Sequence, residues 1–468
     1  MSILNHNMTM RLRFVLYLLV ELSKNKNKEL VLNSTVELVF YGDDFTGSTD
    51  VLESLSLRGK KTILLLRVPE KNDAIDFSVY DCIGVAGISR SKDPEWMRAE
   101  LPKVYHFLNS FDPKYIHYKV CSTFDSNLHK GNLAVATQIG IDVLSPRWTS
   151  IVVGTPKIKR YVCFGELFAD SKGETYRIDR HPVMSCHPAT PMTEANLVKH
   201  MQQLGEVDCA SVNLSMYSDG SAATKLQQFI NEKKVVIFDS VDHSSQAKVG
   251  ALINGRCQEG LHFSVSSSGF EDAVYSQNDL VDNIKIQSKP KILALSGSCS
   301  SITSSQIDYA LSHGFIPVEL DIARLLILES RSQYLDEIVQ TCIDLLSSNK
   351  SPLVYSALGP QKDGSTITSQ DGDLHFDEML GSFLGAIALA VTKTGLIDRL
   401  AVAGGDTSGY CIQSLNVDAL TFIAPLCPGV PLCRAHAQDC DIDGLEVALK
   451  GGQMGPEDFF VQLRSGEE

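Results

Sequence analysis

The residues of this chain that could do chemistry lie in short polar loops, and each loop follows an apolar run. The first is Gly42-Asp43-Asp44-Phe45-Thr46-Gly47. Two adjacent carboxylates ahead of a helix could bind substrate hydroxyls, accept a proton or hold a metal. Aspartate is also a common turn and N-cap residue, which by itself would account for the pair. The second loop is Lys119-Val120-Cys121-Ser122-Thr123-Phe124-Asp125-Ser126. A lysine beside several hydroxyls and a carboxylate suits a polyhydroxylated anion, although Ser122 or Thr123 could serve only as a cap. Arg90, in Ile88-Ser89-Arg90-Ser91, could add a bidentate contact to a carboxylate.

The remaining loops are rich in glycine. Ser296-Gly297-Ser298-Cys299-Ser300-Ser301 runs into a helix through Thr303 and Gln306. Ala403-Gly404-Gly405-Asp406-Thr407-Ser408-Gly409 has the same strand-to-helix setting, and Gly451-Gly452-Gln453-Met454-Gly455 leads to a helix opened by Pro456. Small residues let backbone N–H groups approach a phosphate, and a helix N-terminus supplies further unpaired donors. Any one such loop could be a tight turn; three in one half of a chain point to a nucleotide-sized anion. Neither a Walker A ending nor G-x-G-x-x-G is present, so the residues alone name no cofactor, and a nicotinamide-dependent oxidoreductase is disfavoured. His181 and His187 sit in Asp179-Arg180-His181-Pro182 and Cys186-His187-Pro188 without the spacing of a zinc site, so packing is their default role.

The elements that must position these loops alternate along the chain. Val36–Phe40 reads as a buried strand, and Val51, Leu52, Leu55 and Leu57 mark a helix that stops at Gly59. Thr62–Leu66 completes a βαβ unit. Similar runs recur at Ile83–Val85, Tyr115–Val120, Val235–Phe238, Ile292–Leu295, Ile316–Leu320, Leu400–Ala403 and Val447–Leu449. Continuous apolar strands between helices predict mostly parallel sheets, whose ligands bind at the carboxyl ends of the strands. The expected architecture is α/β: a poorly ordered extension over 1–35, an N-terminal α/β domain over 36–270, a polar linker over 271–290 and a C-terminal α/β domain over 291–468.

Composition narrows the partners. The 468 residues carry 42 Lys+Arg against 56 Asp+Glu, a net charge of −14, which disfavours a nucleic-acid or membrane-surface binder. The 12 cysteines are scattered without a CxxC pair and read as buried small hydrophobes of a reducing compartment, hence a cytoplasmic protein. Arg11 and Arg13 before the apolar run 14–20 outline a targeting peptide, but the run is short and no small-residue cleavage site follows.

Taken in order, these motifs resemble the four-carbon acid sugar kinases, long described as a domain of unknown function. The matching residues are Asp43 through Gly47, Lys119 through Ser126, His181-Pro182, Thr190-Pro191-Met192 and Ser267-Ser268-Gly269. They continue with Ser296-Gly297-Ser298, Gly404 through Gly409 and Gly451-Gly452, so the resemblance spans about Val36 to Phe460. It departs in Tyr41-Gly42, where the family commonly has Ala before the Asp pair, and in the first 35 residues. The resemblance implies an N-terminal domain that binds a sugar acid, a C-terminal domain that binds ATP, and chemistry in the cleft between them. It places Ser298, Gly404, Gly405, Asp406, Thr407 and Gly452 at the nucleotide, and Arg90, Lys119, Ser122 and Asp125 with the Asp pair at the sugar acid.

The implied reaction is transfer of the γ-phosphoryl group of ATP, as its Mg²⁺ complex, to a terminal hydroxyl of a tetronate such as erythronate, threonate or 3-oxo-tetronate. One of Asp43 or Asp44 would orient or deprotonate that hydroxyl, and Lys119 with Arg90 would hold the substrate carboxylate. Which residues would hold a metal stays open. The alternative is a non-catalytic sensor of sugar acids or nucleotides on the same scaffold. Similar domains occur in plants fused to dehydrogenase and aldolase-like modules, so a fusion and a homo-oligomer both stay open.

Overall fold

Leu38-Val39-Phe40-Tyr41-Gly42 is buried at all five positions, with no alternation of polar and apolar residues. Such a segment is stable only with a layer on each face. In the computed structural model it is strand β1 (Leu38–Gly42), an interior strand of the N-terminal half. The structure describes residues 36–70, 75–187, 189–281, 284–357 and 373–466. The expectation for residues 1–35 lies outside them.

The N-terminal half continues with α1 (Phe45–Ser56), β2 (Thr62–Leu65), β3 (Cys82–Ala86), α2 (Pro94–Asn109), β4 (Tyr115–Lys119), α3 (Leu133–Leu144) and β5 (Trp148–Ile151). Strands β6 (Arg160–Cys163), β7 (Glu166–Ser171) and β8 (Glu174–Arg177) form a separate antiparallel sheet. Then come α4 (Leu197–Leu204), β9 (Cys209–Val212), α5 (Leu214–Asp219), α6 (Ala222–Asn231), β10 (Val235–Phe238), α7 (His243–Asn254), β11 (His262–Ser266) and α8 (Gly269–Val274). The C-terminal half comprises β12 (Leu293–Ser296), α9 (Ser301–Ser312), β13 (Phe315–Glu319), α10 (Ile322–Leu326), α11 (Arg331–Ser347) and β14 (Ser351–Tyr355). It ends with α12 (Asp373–Thr392), β15 (Arg399–Ala403), α13 (Gly405–Ser414), β16 (Ala419–Cys427), β17 (Val430–His436), β18 (Glu446–Lys450) and α14 (Phe459–Ser465).

The fold is α/β, as the alternation predicts, but the two halves do not keep separate sheets. β16 pairs antiparallel with β2 through Ala419↔Leu65, Leu420↔Leu64 and Thr421↔Ile63. The result is one 15-stranded sheet in the order β13-β14-β12-β15-β18-β17-β16-β2-β3-β1-β4-β11-β5-β10-β9. Pairing is parallel except where β18, β17, β16 and β2 meet. The stretch 271–290, expected as a linker, begins inside the N-terminal half. Its first four residues belong to α8, with Glu271, Asp272, Ala273 and Val274 all buried. Glu271 pairs with buried His117 and Asp272 with Arg58 at 2.5 Å, whereas residues 277–281 are exposed.

Both strand sets deliver their loops to the sites considered below. β1 lies between β3 and β4 in parallel register, Gly42 beside Ala86 and Lys119. The loops carrying Asp43, Arg90 and Ser122 therefore emerge side by side at one carboxyl edge. β12, β15 and β18 are likewise parallel neighbours, Ser296 beside Ala403 and Ala403 beside Lys450. That register gathers the three glycine loops.

Candidate active site

Helix α1 begins where Asp44, in extended conformation, accepts a hydrogen bond from the Gly47 N–H at 2.6 Å. This cap fixes the second carboxylate of the pair at the mouth of a cleft of about 560 Å³. Val51, Leu52 and Leu55 anchor the buried face of α1. Asp50, Glu53, Ser54 and Arg58 along and just after the helix line the cleft with Asp44, Arg90, Lys119, Cys121, Ser122 and Lys157. The opposite wall belongs to the C-terminal half: Pro425 through Gly429, from the β16–β17 turn, and Met454.

Charges in the cleft are paired in alternation. Arg90 donates to Asp43 through Nη2 at 2.7 Å and Nε at 3.1 Å, and to Asp44 through Nη1 at 2.5 Å. Burial pushes the Asp43 carboxyl up to about 6; Arg90 opposes that rise and Asp44 adds to it. Lys119, at the end of β4, lies 3.3 Å from Asp50. Burial works against its charge, but Asp50, Asp44 and Asp43 outweigh it and hold the ammonium above the ordinary lysine range. Asp50 is held below the usual carboxylate range, Lys119 and Lys157 together overcoming its burial. Arg58 and Lys157 both donate to Asp272 Oδ1, at 2.5 and 2.9 Å.

Glu53 joins the two halves. Its carboxylate accepts the Gly429 N–H from the β16–β17 turn at 2.7 Å. Burial pushes this carboxyl up to about 7 against the pull of that bond, with Asp50 adding to the rise. The second site is built by the glycine loops alone. Gly404 has φ +124, and a Cβ there would lie 2.8 Å from Thr407 Oγ1. A Cβ on Gly452 would overlap the Ser298 hydroxyl. Ser300 and Thr303, at the start of α9, both donate to the Gly452 carbonyl, Thr303 at 2.9 Å. The loops thus form a cradle of small residues between two helix N-termini, a shape that suits a phosphate chain.

The structure brings most of the residues singled out in sequence into these two places. Asp44, Arg90, Lys119 and Ser122 line the cleft, and Asp43 lies behind Asp44 on Arg90. Asp125 points elsewhere: its two oxygens accept from Thr123 at 2.5 Å and Thr190 at 2.6 Å, tying the loop to the segment after β8. Ser298, Gly404, Thr407 and Gly452 meet in the cradle, with Gly405 at the first turn of α13. The Asp406 side chain lies outside the described residues. Asp50, Glu53, Arg58, Lys157 and Met454 were missed. Asp50 and Glu53 at i, i+3 on the helix after the Asp pair were legible as one face; Lys157 carried no such signal. Among the described residues, the carboxylate cluster closest to metal-ligand geometry is Asp439–Cys440–Asp441, outside both sites.

Comparison with known proteins agrees with this division. Residues 38–274 match the model of a sugar-binding N-terminal domain, and residues 293–460 that of a nucleotide-binding C-terminal domain. The chain is 36% identical to a 3-oxo-isoapionate kinase of Paraburkholderia graminis over 92% of its own length and 94% of the relative's. It is 27% identical to a 3-oxo-tetronate kinase of Pectobacterium atrosepticum, covering 92% of this chain and 99% of that one. A Haemophilus influenzae 3-oxo-tetronate kinase is 28% identical, with 89% and 97% covered. Two solved structures share the fold. A Salmonella typhimurium protein described as a putative tRNA synthase has a TM-score of 0.76 at 24% identity, covering 91% of this chain and 98% of its own. A Haemophilus influenzae protein of a family of unknown function has a TM-score of 0.71 at 23% identity, covering 91% and 99%. With both domain models matched in order around one cleft, the chain belongs to the four-carbon acid sugar kinase family.

Proposed function

We propose that this chain, a carbohydrate kinase by family, transfers the γ-phosphoryl group of ATP to a terminal hydroxyl of a four-carbon sugar acid in the cleft between its halves. One observation carries the reading. The Gly451–Gly455 segment rests on Ser298 and Ser300 at its start, while Met454 within it forms the wall facing Asp44. A nucleotide in the cradle would therefore present its terminal phosphate toward the paired carboxylates.

Phosphoryl transfer depends chiefly on positioning and charge neutralisation. Asp44 meets the cleft and takes the acceptor hydroxyl, whereas Asp43 stays behind it and fixes Arg90. Arg90 spends three of its five N–H donors on the Asp pair and so orients these carboxylates first, with two donors left toward the cleft. Lys119, with Ser122 beside it, meets the substrate carboxylate. The cradle suits a polyphosphate because its small residues gather the N-termini of α9 and α13, and a Cβ on Gly405 would meet only open space there. Each cleft carboxylate of the Asp43, Asp44 and Asp50 set is engaged by a cation, so Mg²⁺ would arrive on the nucleotide, where it supplies charge neutralisation.

The deciding experiment incubates the full chain with Mg-ATP and erythronate, threonate, 3-oxo-tetronate and 3-oxo-isoapionate in turn. ADP with an equimolar phosphorylated acid from a four-carbon member supports the proposal. Ligand binding without turnover by any acid supports a sensor instead. Turnover confined to 3-oxo-isoapionate moves the substrate class to that of the Paraburkholderia relative.

A further inference from the structure

Three Lys or Arg residues are buried among those described: Lys119, Arg399 and Lys450. Lys119 has Asp50, and Arg399 has Glu446 at 2.6 Å. Lys450, the last residue of β18, pairs with no carboxylate among the described residues. Its ammonium donates to Thr303 Oγ1 at 3.0 Å and to the Gly451 carbonyl at 3.2 Å, and lies 5.6 Å from the centroid of the Phe459 ring. Thr303 Oγ1 passes the chain on to the Gly452 carbonyl, and the Lys450 carbonyl accepts the Gly404 N–H at 2.9 Å. One residue therefore ties together α9, the Gly404 loop and the Gly451–Gly452 loop. A buried charge without a partner is costly, and it is tolerated where a ligand supplies the opposite charge.

We infer that Lys450 is the built-in counter-charge for the nucleotide's polyphosphate, acting from beneath the Gly451–Gly452 loop as a positioning residue. This rests on the nucleotide reading of the cradle. Without ligand, burial lowers the Lys450 ammonium to about 8. The titratable group whose charge reaches it is the Cys427 thiol of β16, itself pushed by burial up to about 12 and so neutral. β15 presents Ala403 beside it, α9 presents Thr303 and α14 the Phe459 ring. A polyphosphate above the loop favours the charged lysine, so binding must draw a proton from solution wherever part of the lysine is neutral.

The test is calorimetric titration of the full chain with Mg-ADP in buffers of different ionisation heat. At pH 8 the wild-type chain should take up about half a proton per ADP, and about a tenth at pH 7. Lys450→Arg should bind ADP with the uptake lost, and Lys450→Met should bind it roughly tenfold or more weakly. ADP binding without uptake, or uptake undiminished in Lys450→Arg, overturns the inference alone. Absence of ADP binding by the wild-type chain overturns the nucleotide reading together with it. The pH series uses the unaltered protein, so it decides even if the variants fail to fold.

Discussion

Arg90 grips Asp43 through two parallel bonds, Nη2 to Oδ1 at 2.7 Å and Nε to Oδ2 at 3.1 Å. A third N–H, on Nη1, reaches Asp44, so a single guanidinium sets the spacing of both carboxylates. A lysine could keep the charge but not this geometry. Arg90→Lys should lower kcat by on the order of 10²-fold, with little change in Mg-ADP affinity. Arg90→Ala should also destabilise the chain by roughly 2–4 kcal/mol, since it strands the buried Asp43 charge. Urea unfolding and steady-state kinetics read the two effects separately; an Arg90→Lys enzyme of normal turnover would refute the positioning role.

Asp44 and Asp43 should part company on substitution. Asp44 faces the cleft and caps α1, whereas Asp43 is 4% exposed and bound to Arg90. Asp44→Asn keeps the cap oxygen and removes the charge, so kcat should fall roughly 10²–10⁴-fold while Mg-ADP still binds. If Asp44→Asn turned over normally and Asp43→Asn did not, the roles assigned to the pair would have to be exchanged.

The Asp43 carboxyl titrates near 6 because burial favours its neutral form. Below that pH it is protonated and loses its ionic grip on Arg90; above it the pair is formed. The kcat/KM profile should therefore rise with pH through about 6 and level off. Glu53 titrates about one step higher, and Glu53→Gln serves as the control that separates the two. A limb near 6 that survives in Glu53→Gln belongs to Asp43; its loss there would reassign it to Glu53.

Much of this arrangement was legible in the sequence, and the rest was missing for identifiable reasons. Alternating apolar runs gave the parallel strands, and loops at strand ends gave Asp44, Lys119, Ser122, Ser298 and Gly452 their places. A motif lists residue types but not their partners. Nothing local shows that Asp43 and Asp44, 47 and 46 positions earlier, take three of the five N–H donors of Arg90. Asp125 looked like a ligand residue until Thr190, 65 positions away, closed on it. The pairing of β2 with β16 joins segments more than 350 residues apart through short apolar runs that would suit many neighbours. Glu271 and Asp272 of α8 fell at the start of the expected linker for the same reason: their partners, His117 and Arg58, are remote in sequence.

Glu53 couples stability to pH across the two halves. Its folded-state value of about 7 lies above the ordinary 4.5, so between these values the folded chain holds a proton that the unfolded chain has released. Folding stability from this group is therefore complete at the acid end and declines as pH rises through that window. Glu53→Gln should flatten the decline by about 1–3 kcal/mol between pH 4.5 and 7.5, read from urea midpoints at each pH. An unchanged slope would show that the carboxyl is not held in the buried contact with the Gly429 N–H.

Gly452→Ala tests the cradle without touching the cleft. The added methyl would overlap the Ser298 hydroxyl and touch the Ser300 Cβ at 3.5 Å, an ordinary contact, both in the strand-to-helix loop ahead of α9. The Ser298 hydroxyl must turn away, giving up the bond it accepts from the Ser300 N–H at 3.3 Å. Ser300 caps α9 through its bond from the Thr303 N–H at 3.1 Å, and it also donates to the Gly452 carbonyl. The methyl and the displaced hydroxyl then crowd the proposed phosphate seat. KM for ATP should rise by roughly tenfold or more, and titration of the sugar acid alone should be unaffected. Global stability should fall little, because Gly452 is half-buried rather than packed in the core. The opposite pattern, normal KM for ATP with impaired sugar-acid binding, would place the nucleotide somewhere other than these loops.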